Sequence, residues 1–446
     1  LFVIFGSLLG ITKIDEFLYE VGKGAGQVMT GGPGVTAVVA SSMVGMVTGS
    51  AVGNVTITGA FTIPLMKKVG YKPEYAGAIE ATASTGGQLV PPIMGASAFL
   101  MASFLGIPYV DIMLAAIIPA ILYYYCVGLG VQLIAMKGNI RVKAEPLNKK
   151  LIVKRFPLFV IPVAVLVILL FNRYTPMYAA FWAIVVTLIF SFVWSLIIGE
   201  KPYSLNDLMN CITKGAISGA YIGIALACVG IIAQTLITTA LGNKIISLVE
   251  LLSGGDLLAT LVFTMIMSII LGMGCPTAAA YAFVAILVIP ILTRLGIMDL
   301  SAHFFAFYFA IISALTPPVA MAAMAGAGIA KGKYITTAIE SFKLAISGFI
   351  IPYLIIFNPV LILRPNSLVW GLISLFSIIL GLSALTMFVY GYFISKLSIL
   401  ERFIMLLSCI GFLGYSFIGN YLMFGLGIIA FIIVFISQKN LSLSQT

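Results

Sequence analysis

Two oxygen-rich stretches, each closed by a proline pair, stand 226 residues apart, measured from Pro91 to Pro317. The first reads Ser84-Thr85-Gly86-Gly87-Gln88-Leu89-Val90-Pro91-Pro92. A proline has no amide hydrogen, and its ring drives the preceding residue out of helical geometry. Carbonyls from about Ala83 to Gly87 are therefore expected to lose helical partners, with the Ser84 and Thr85 hydroxyls beside them. Carbonyls and hydroxyls without a carboxylate in the set suit weak coordination of a monovalent hard cation such as Na+. The second stretch, Ile312-Ser313-Ala314-Leu315-Thr316-Pro317-Pro318, offers the same kind of site with fewer side-chain oxygens.

Two glycine-rich segments have the opposite preference. Thr48-Gly49-Ser50-Ala51-Val52-Gly53 joins apolar legs at 33–47 and 54–66, and Gly272-Met273-Gly274-Cys275 joins legs at 257–271 and 276–292. The first pair of legs would reach about 20–22 Å at 1.5 Å per residue, short of a hydrocarbon core of about 30 Å. Both segments read as re-entrant helical hairpins, whose tips must be buried in protein or face a water-filled cavity. Asn54 is expected to cap the second leg of the first hairpin. Pro276 suits the first turn of the second leg of the other, with Thr277 beside it. Helix N-termini aimed at the midplane favour an anionic group such as a carboxylate. The plainer alternative is a set of kinks that Gly and Pro permit, but four such elements in two registered copies argue against it.

The register extends further. Ile63-Pro64, Gly70 and Gly106 recur as Ile289-Pro290, Gly296 and Gly332. A duplicated unit with a broken helix in each copy is the pattern of a secondary transporter's substrate path. The chain divides into a first repeat at 1–136, with its broken helix at 72–106, and a connector with two spans at 137–213. A second repeat follows at 214–363, with its broken helix at 299–330, and C-terminal helices occupy 364–446. Simple spans are expected at 109–136, 156–171, 176–198, 214–240, 334–363, 368–395, 403–418 and 421–436. Amphipathic stretches at 14–29 and 243–252 precede the hairpins, and 137–155 and 203–213 read as interfacial connectors.

Composition places all this in a bilayer. Of 446 residues, 61% are hydrophobic and 9% charged, against roughly a quarter charged in soluble domains. Counting hairpins as non-crossing leaves five crossings between them, so the second copy is inverted. Under that topology eighteen of the 24 Lys and Arg fall on one side and four on the other. By the positive-inside rule the first hairpin enters from the cytoplasm, the second from outside, and the C-terminus is cytoplasmic. The net charge of +10 thus belongs to the membrane topology and not to nucleic acid.

Few residues could do other chemistry. The five cysteines are scattered with no CxxC pair and read as apolar fillers. The one histidine, His303, excludes a histidine metal cluster and is expected to make an interfacial hydrogen bond. No HExxH, nucleophile–base pair or ATP-binding motif is present, which leaves an ion gradient as the driving force and no enzyme chemistry. A channel would need a continuous polar pore. Glu80, one turn before Ser84, is either a proton-coupling carboxylate or a partner of Lys68 or Lys72. Glu340 and Lys343 should pair along a helix, and Asp111 should cap one.

At these residues the chain resembles a known family. Thr48 to Asn54, Thr62-Ile63-Pro64-Leu65-Met66, Ala83 to Met94, Leu271 to Ala279 and Leu315 to Val319 resemble the large membrane subunit of TRAP (tripartite ATP-independent periplasmic) transporters. Glu80 to Gln88, with the tail from Tyr390-Gly391-Tyr392 to Leu400-Glu401-Arg402, is similar to the TAXI-type fused permeases. The resemblance implies an all-α, elevator-type importer in the bacterial inner membrane, with no cofactor and Na+ or H+ as coupling ion. It also implies an extracytoplasmic TAXI-type substrate-binding protein as partner, and small-subunit-like helices that are expected to precede residue 1. Carried over, the substrate and ion residues are Gly49, Ser50 and Asn54; Ser84, Thr85, Gly86, Gly87 and Gln88; Gly274, Cys275 and Thr277; and Ser313 and Thr316. Na+ would lie at Ser50, Asn54, Ser84 and Thr85. Cys275 replaces a more polar residue of many relatives, and Ala306, Ala310, Ile311 and Ala314 stand where the first copy has Glu80, Ser84, Thr85 and Gln88.

Overall fold

Helix ends follow the prolines and glycines, and the repeat recurs element by element. In the computed structural model, which describes residues 1–140, 146–364 and 367–444, the described residues are helical apart from loops and one isolated bridge, Tyr392 to Lys396. The first copy holds α1 (Phe2–Leu9), amphipathic α2 (Ile14–Val28), hairpin legs α3 (Gly32–Thr48) and α4 (Ala51–Lys68), half-helices α5 (Pro73–Gly86) and α6 (Ala96–Leu105), and α7 (Tyr109–Lys137). Two connecting helices follow, α8 (Lys149–Phe171) and α9 (Pro176–Ile197). The second copy holds α10 (Leu205–Thr238), α11 (Leu241–Ser253), legs α12 (Leu257–Gly272) and α13 (Thr277–Arg294), half-helices α14 (Asp299–Ile312) and α15 (Met321–Ala330), then α16 (Tyr334–Leu344) and α17 (Ile346–Phe357). The chain closes with α18 (Leu368–Tyr390), α19 (Ile399–Ile418) and α20 (Tyr421–Ser444). Both ends of α4 and α13, and of α5 and α14, differ by the same 226 residues as the prolines. Nine helices among the described residues are long and apolar enough to cross a membrane.

Several expected boundaries move. The legs are longer than 13 to 15 residues: α3 has 17 and α4 has 18, about 26–27 Å of helix. Length alone therefore does not make them re-entrant; the meeting of their tips, described below, does. The connector expected at 203–213 is instead the start of α10. Ser204 and Asp207 cap each other there, with Asp207 accepting from the Ser204 amide at 2.9 Å and hydroxyl at 2.7 Å. Asn148 likewise starts α8 seven residues before the expected 156, accepting from the Leu151 amide at 3.1 Å. Of the connector at 137–155, Arg141 and Lys143 lie outside the described residues. The expected span at 334–363 is interrupted at Ala345, between α16 and α17. Asp111 lies in the first turn of α7 but makes no cap hydrogen bond. Glu340 and Lys343 do pair, at 2.7 Å.

The two copies interlock through their second half-helices. α15 packs on α4 and α5 of the first copy, while α6 packs on α13 and α14 of the second. The α5–α15 crossing is backbone against backbone. A Cβ on Gly77 would stand 2.9 Å from the Gly326 carbonyl, and one on Gly326 only 2.5 Å from the Gly77 oxygen. The counterpart positions are His303 and Leu100, too large for the same approach. The charges at the C-terminal end are also placed by helix ends: Arg402 donates to Phe388 O at 2.9 and 3.1 Å, and Lys137 to Tyr390 O at 2.9 Å.

The crossing gives a direct test. Gly326→Val should lower the melting temperature in detergent, since overpacking costs about 1–3 kcal/mol or more where backbone must move. Gly328→Val, two residues along the same helix with open space around it, should change it little. Equal effects would refute the glycine crossing as a stability determinant.

Candidate functional site

The two hairpins meet tip to tip. A cavity of about 100 Å³ is lined by Gly49, Ser50, Ala51 and Val52 of the first tip and by Cys275, Pro276, Thr277 and Ala278 of the second. Ala96 and Ser97 at the start of α6, Ile222 of α10, Ala314 of the second break and Met321 at the start of α15 complete it. Four helix N-termini, those of α4, α6, α13 and α15, thus converge on one space, and no Lys, Arg, Asp or Glu lines it. The amides at these ends place partial positive charge where no charged side chain neutralises it. A second cavity of about 410 Å³ shares Gly49, Ser50, Ala96, Ile222 and Pro276 with the first and opens along α1 and α10.

The capping differs from expectation. Ser50, not Asn54, caps α4, accepting from the Gly53 amide at 3.2 Å. Asn54 sits a turn further in, fully buried, where its amide group donates to Ser41 O at 2.7 Å. Pro276 is the residue before α13 and Thr277 its first. The first tip is held down by glycines, because only glycine allows the approach. A Cβ on Gly45 would meet Gly87 Cα at 2.8 Å, and one on Gly49 would meet Gly95 Cα at 2.6 Å. At the second tip a Cβ on Gly272 would stand 2.5 Å from Ser313 Oγ of its own break, while one on Gly274 would meet only Val319 Cγ1, at 4.0 Å.

Both breaks have the same build: a single three-residue 3-10 turn, 87–89 or 313–315, then a cis Pro-Pro bond. The carbonyls expected to be freed are partly claimed by tyrosines. Tyr123 donates to Thr82 O at 3.0 Å and Tyr124 to Ala83 O at 2.6 Å. Tyr109, at the start of α7, donates to Pro92 O, and Tyr334, at the start of α16, to Pro318 O, although the two tyrosines are one residue out of the repeat register. Thr85, Ser313 and Thr316 hydroxyls bond back to the helix, at Ala81, Ala310 and Ile312 O. Gln88 is buried, and its Nε2 has no partner among the described residues. The structure therefore brings Asn54 and Ser84 together around Gly45 and leaves Ser50 at the tip.

Glu80 is the centre of the polar chemistry, and three of its partners were missed in the sequence. Ser41 and Thr62 hydroxyls donate to it at 2.7 and 2.6 Å, Ser84 at 3.0 Å, and Thr58 lies against the same carboxylate. All are fully buried, and no described Lys or Arg forms an ion pair with Glu80. The pairing with Lys68 or Lys72 is therefore not made; Lys67 instead donates to Ala330 O at 2.7 Å. A signal was present: Asn54, Thr58 and Thr62 are spaced four apart on one face of α4, and Glu80 and Ser84 four apart on α5. At the same register the second copy has Ala280, Val284, Val288, Ala306 and Ala310, so this cluster exists once. Its donor set, hydroxyls with a carboxylate, an amide oxygen and nearby backbone, fits a hard monovalent cation or a proton. Among the described residues no His, Cys, Asp and Glu group could hold a tighter metal ion. His303 does make a hydrogen bond, with Tyr281 Oη at 2.6 Å, and is buried in the protein.

Opposed hairpins, interlocked broken helices and an internal cavity without charged side chains make this a multi-pass helical membrane protein. The chain belongs to the family of the DctM component of tripartite ATP-independent periplasmic transporters, which it matches over residues 1–366. This is a family of secondary transporter components, not enzymes. Helices α18–α20 lie beyond the matched segment. The uncharacterized protein y4mL of Sinorhizobium fredii (strain NBRC 101917 / NGR234) is 26% identical over 228 residues, 50% of this chain and 54% of that protein. The chain thus spans about half the length of the curated relative it matches.

The Glu80 cluster predicts a graded result. Thr62→Val leaves one carboxylate oxygen without its donor and should cost about 1–3 kcal/mol of stability. Thr62→Ser keeps the bond and should cost clearly less. A melting temperature in detergent that falls as far for Thr62→Ser as for Thr62→Val would mean that the bond to the carboxylate does not set the cost.

Proposed function

We propose that this chain is the large membrane subunit of a secondary importer for a small carboxylate-bearing solute: a dicarboxylate, a keto acid or an amino acid. The observation that carries the reading is the convergence of four helix N-termini on a cavity without charged side chains. Such a space favours one compact anion over a neutral or cationic solute. The solute would lie between Gly49, Ser50, Gly274, Cys275 and Thr277, with coupling Na+ or H+ at Asn54, Ser84 and Glu80. A hard cation beside Glu80 would neutralise the buried carboxylate as a proton would, so either ion supports the same logic. An extracytoplasmic TAXI-type binding protein delivers the solute, small-subunit-like helices complete the scaffold, and the hairpins move as an elevator in the inner membrane. The C-terminus is cytoplasmic, in keeping with the charge split.

Uptake into proteoliposomes tests the class. Import of labelled carboxylates should need both the binding protein and an imposed ion gradient. Uptake that follows the solute's own gradient, with neither, would mean a channel.

The coupling site has its own test. Asn54→Ala and Ser84→Ala should each raise the Na+ concentration for half-maximal uptake about fivefold, the worth of one ~1 kcal/mol contact. If the proton is coupled instead, Glu80→Gln should flatten the pH dependence of uptake, because the amide stays neutral throughout. Wild-type Na+ and pH dependence in all three variants would remove the cluster from coupling.

A further inference from the structure

A further polar cavity belongs to neither hairpin. It holds about 600 Å³ between the turn after α1, the start of α8, the end of α9 and the start of α10. Lys13, Arg155, Lys201 and Lys214 line it, with Glu200 and Asp207. The two carboxylates are already engaged. Glu200 contacts Lys154 at 2.6 Å and Arg155 at 2.9 Å, and Asp207 serves the α10 cap. The Lys154 hydrogen bond, with Arg155 behind it, holds the Glu200 carboxyl below the usual range. Lys13, Lys201 and Lys214 form no ion pair among the described residues. Arg155 is buried, and its Nε has no partner. With the Arg155 guanidinium held on Glu200, three lysines are left to make the lining electropositive towards an anion.

The position of this cavity is as telling as its charge. On α1, residues 3, 6 and 7 line the 410 Å³ cavity, and Gly10, in the turn that directly follows α1, lines the 600 Å³ one. On α10, Ser218, Tyr221 and Ile222 line the former and Asn210, Cys211 and Lys214 the latter, on one face. The seam between α1 and α10 therefore runs from the meeting hairpin tips to this basic cavity. The charge split puts the basic end on the cytoplasmic side.

We propose that the cavity bounded by Lys13, Arg155, Lys201 and Lys214 is an electropositive exit vestibule that binds the transported carboxylate as it leaves along the α1–α10 seam. Its role in release rests on the transport reading above; its affinity for anions does not. Basic walls at the mouth of a cleft raise the local concentration of an anion and lower the barrier to leaving a dry site.

Cys211 lines the cavity and is a native reporter. Purified full-length protein in neutral nanodiscs is treated with an anionic or a cationic methanethiosulfonate, and Cys211 modification is read by peptide mass spectrometry. Relative to free glutathione, the anionic reagent should be favoured about threefold or more at low salt. The preference should fade towards 1 M salt, where the screening length is about 3 Å, and drop in Lys214→Gln and Lys201→Gln. A ratio equal to that of glutathione, or favouring the cation, overturns the anion site. Succinate or 2-oxoglutarate should slow labelling beyond chloride of equal ionic strength. Protection by inorganic phosphate or by anionic-lipid nanodiscs, but not by either carboxylate, would overturn the release role. Absence of carboxylate uptake with the labelling preference intact would instead mean that the transport reading alone has failed.

Discussion

Backbone amides and carbonyls released at four interruptions must find partners away from water, and that demand organises the molecule. Two interruptions are hairpin tips and two are proline breaks. The carbonyl ends are met by tyrosines: Tyr123 and Tyr124 at the first break, Tyr109 and Tyr334 at the prolines. The amide ends are left facing a cavity. Satisfying one set and leaving the other open gives the centre its polarity, with partial positive charge and no charged side chain to cancel it.

The same constraint explains the interlocking of the copies. A half-helix of ten residues, such as α6 or α15, is too short to stand alone in a bilayer and must be buried by protein. Each lies against the other copy's hairpin and first half-helix. Gly77 against Gly326 makes one of these contacts close, while His303 and Leu100 keep its counterpart wider. The first copy is thus the tighter one, with its tip seated on Gly87 and Gly95 and its legs holding the Glu80 cluster. The second tip, around Gly274, has room about it.

Duplication preserved the backbone and released the side chains. Helix bounds agree to the residue in α4 and α13, yet Asn54, Thr58 and Thr62 face Ala280, Val284 and Val288. A buried carboxylate with four hydroxyl partners is costly to maintain without a proton or cation nearby. The cluster stands in one copy alone, so the molecule bears that cost once.

The sequence alone determined the repeat, the hairpins, the broken helices and the membrane setting, because prolines, glycines and apolar runs act locally and at fixed spacing. It also located Glu80, Ser84 and Asn54. Helix starts at α8 and α10 were misjudged, since capping by Asn148, Ser204 and Asp207 extends helices past where hydropathy ends. Only tertiary structure decided which atoms meet. Ser41 reaches Glu80 across 39 residues, Tyr124 reaches Ala83 across 41, and two tips far apart in the sequence share one cavity. Local chemistry sets where a helix must stop; what fills the gap depends on which distant helix the packing brings to it.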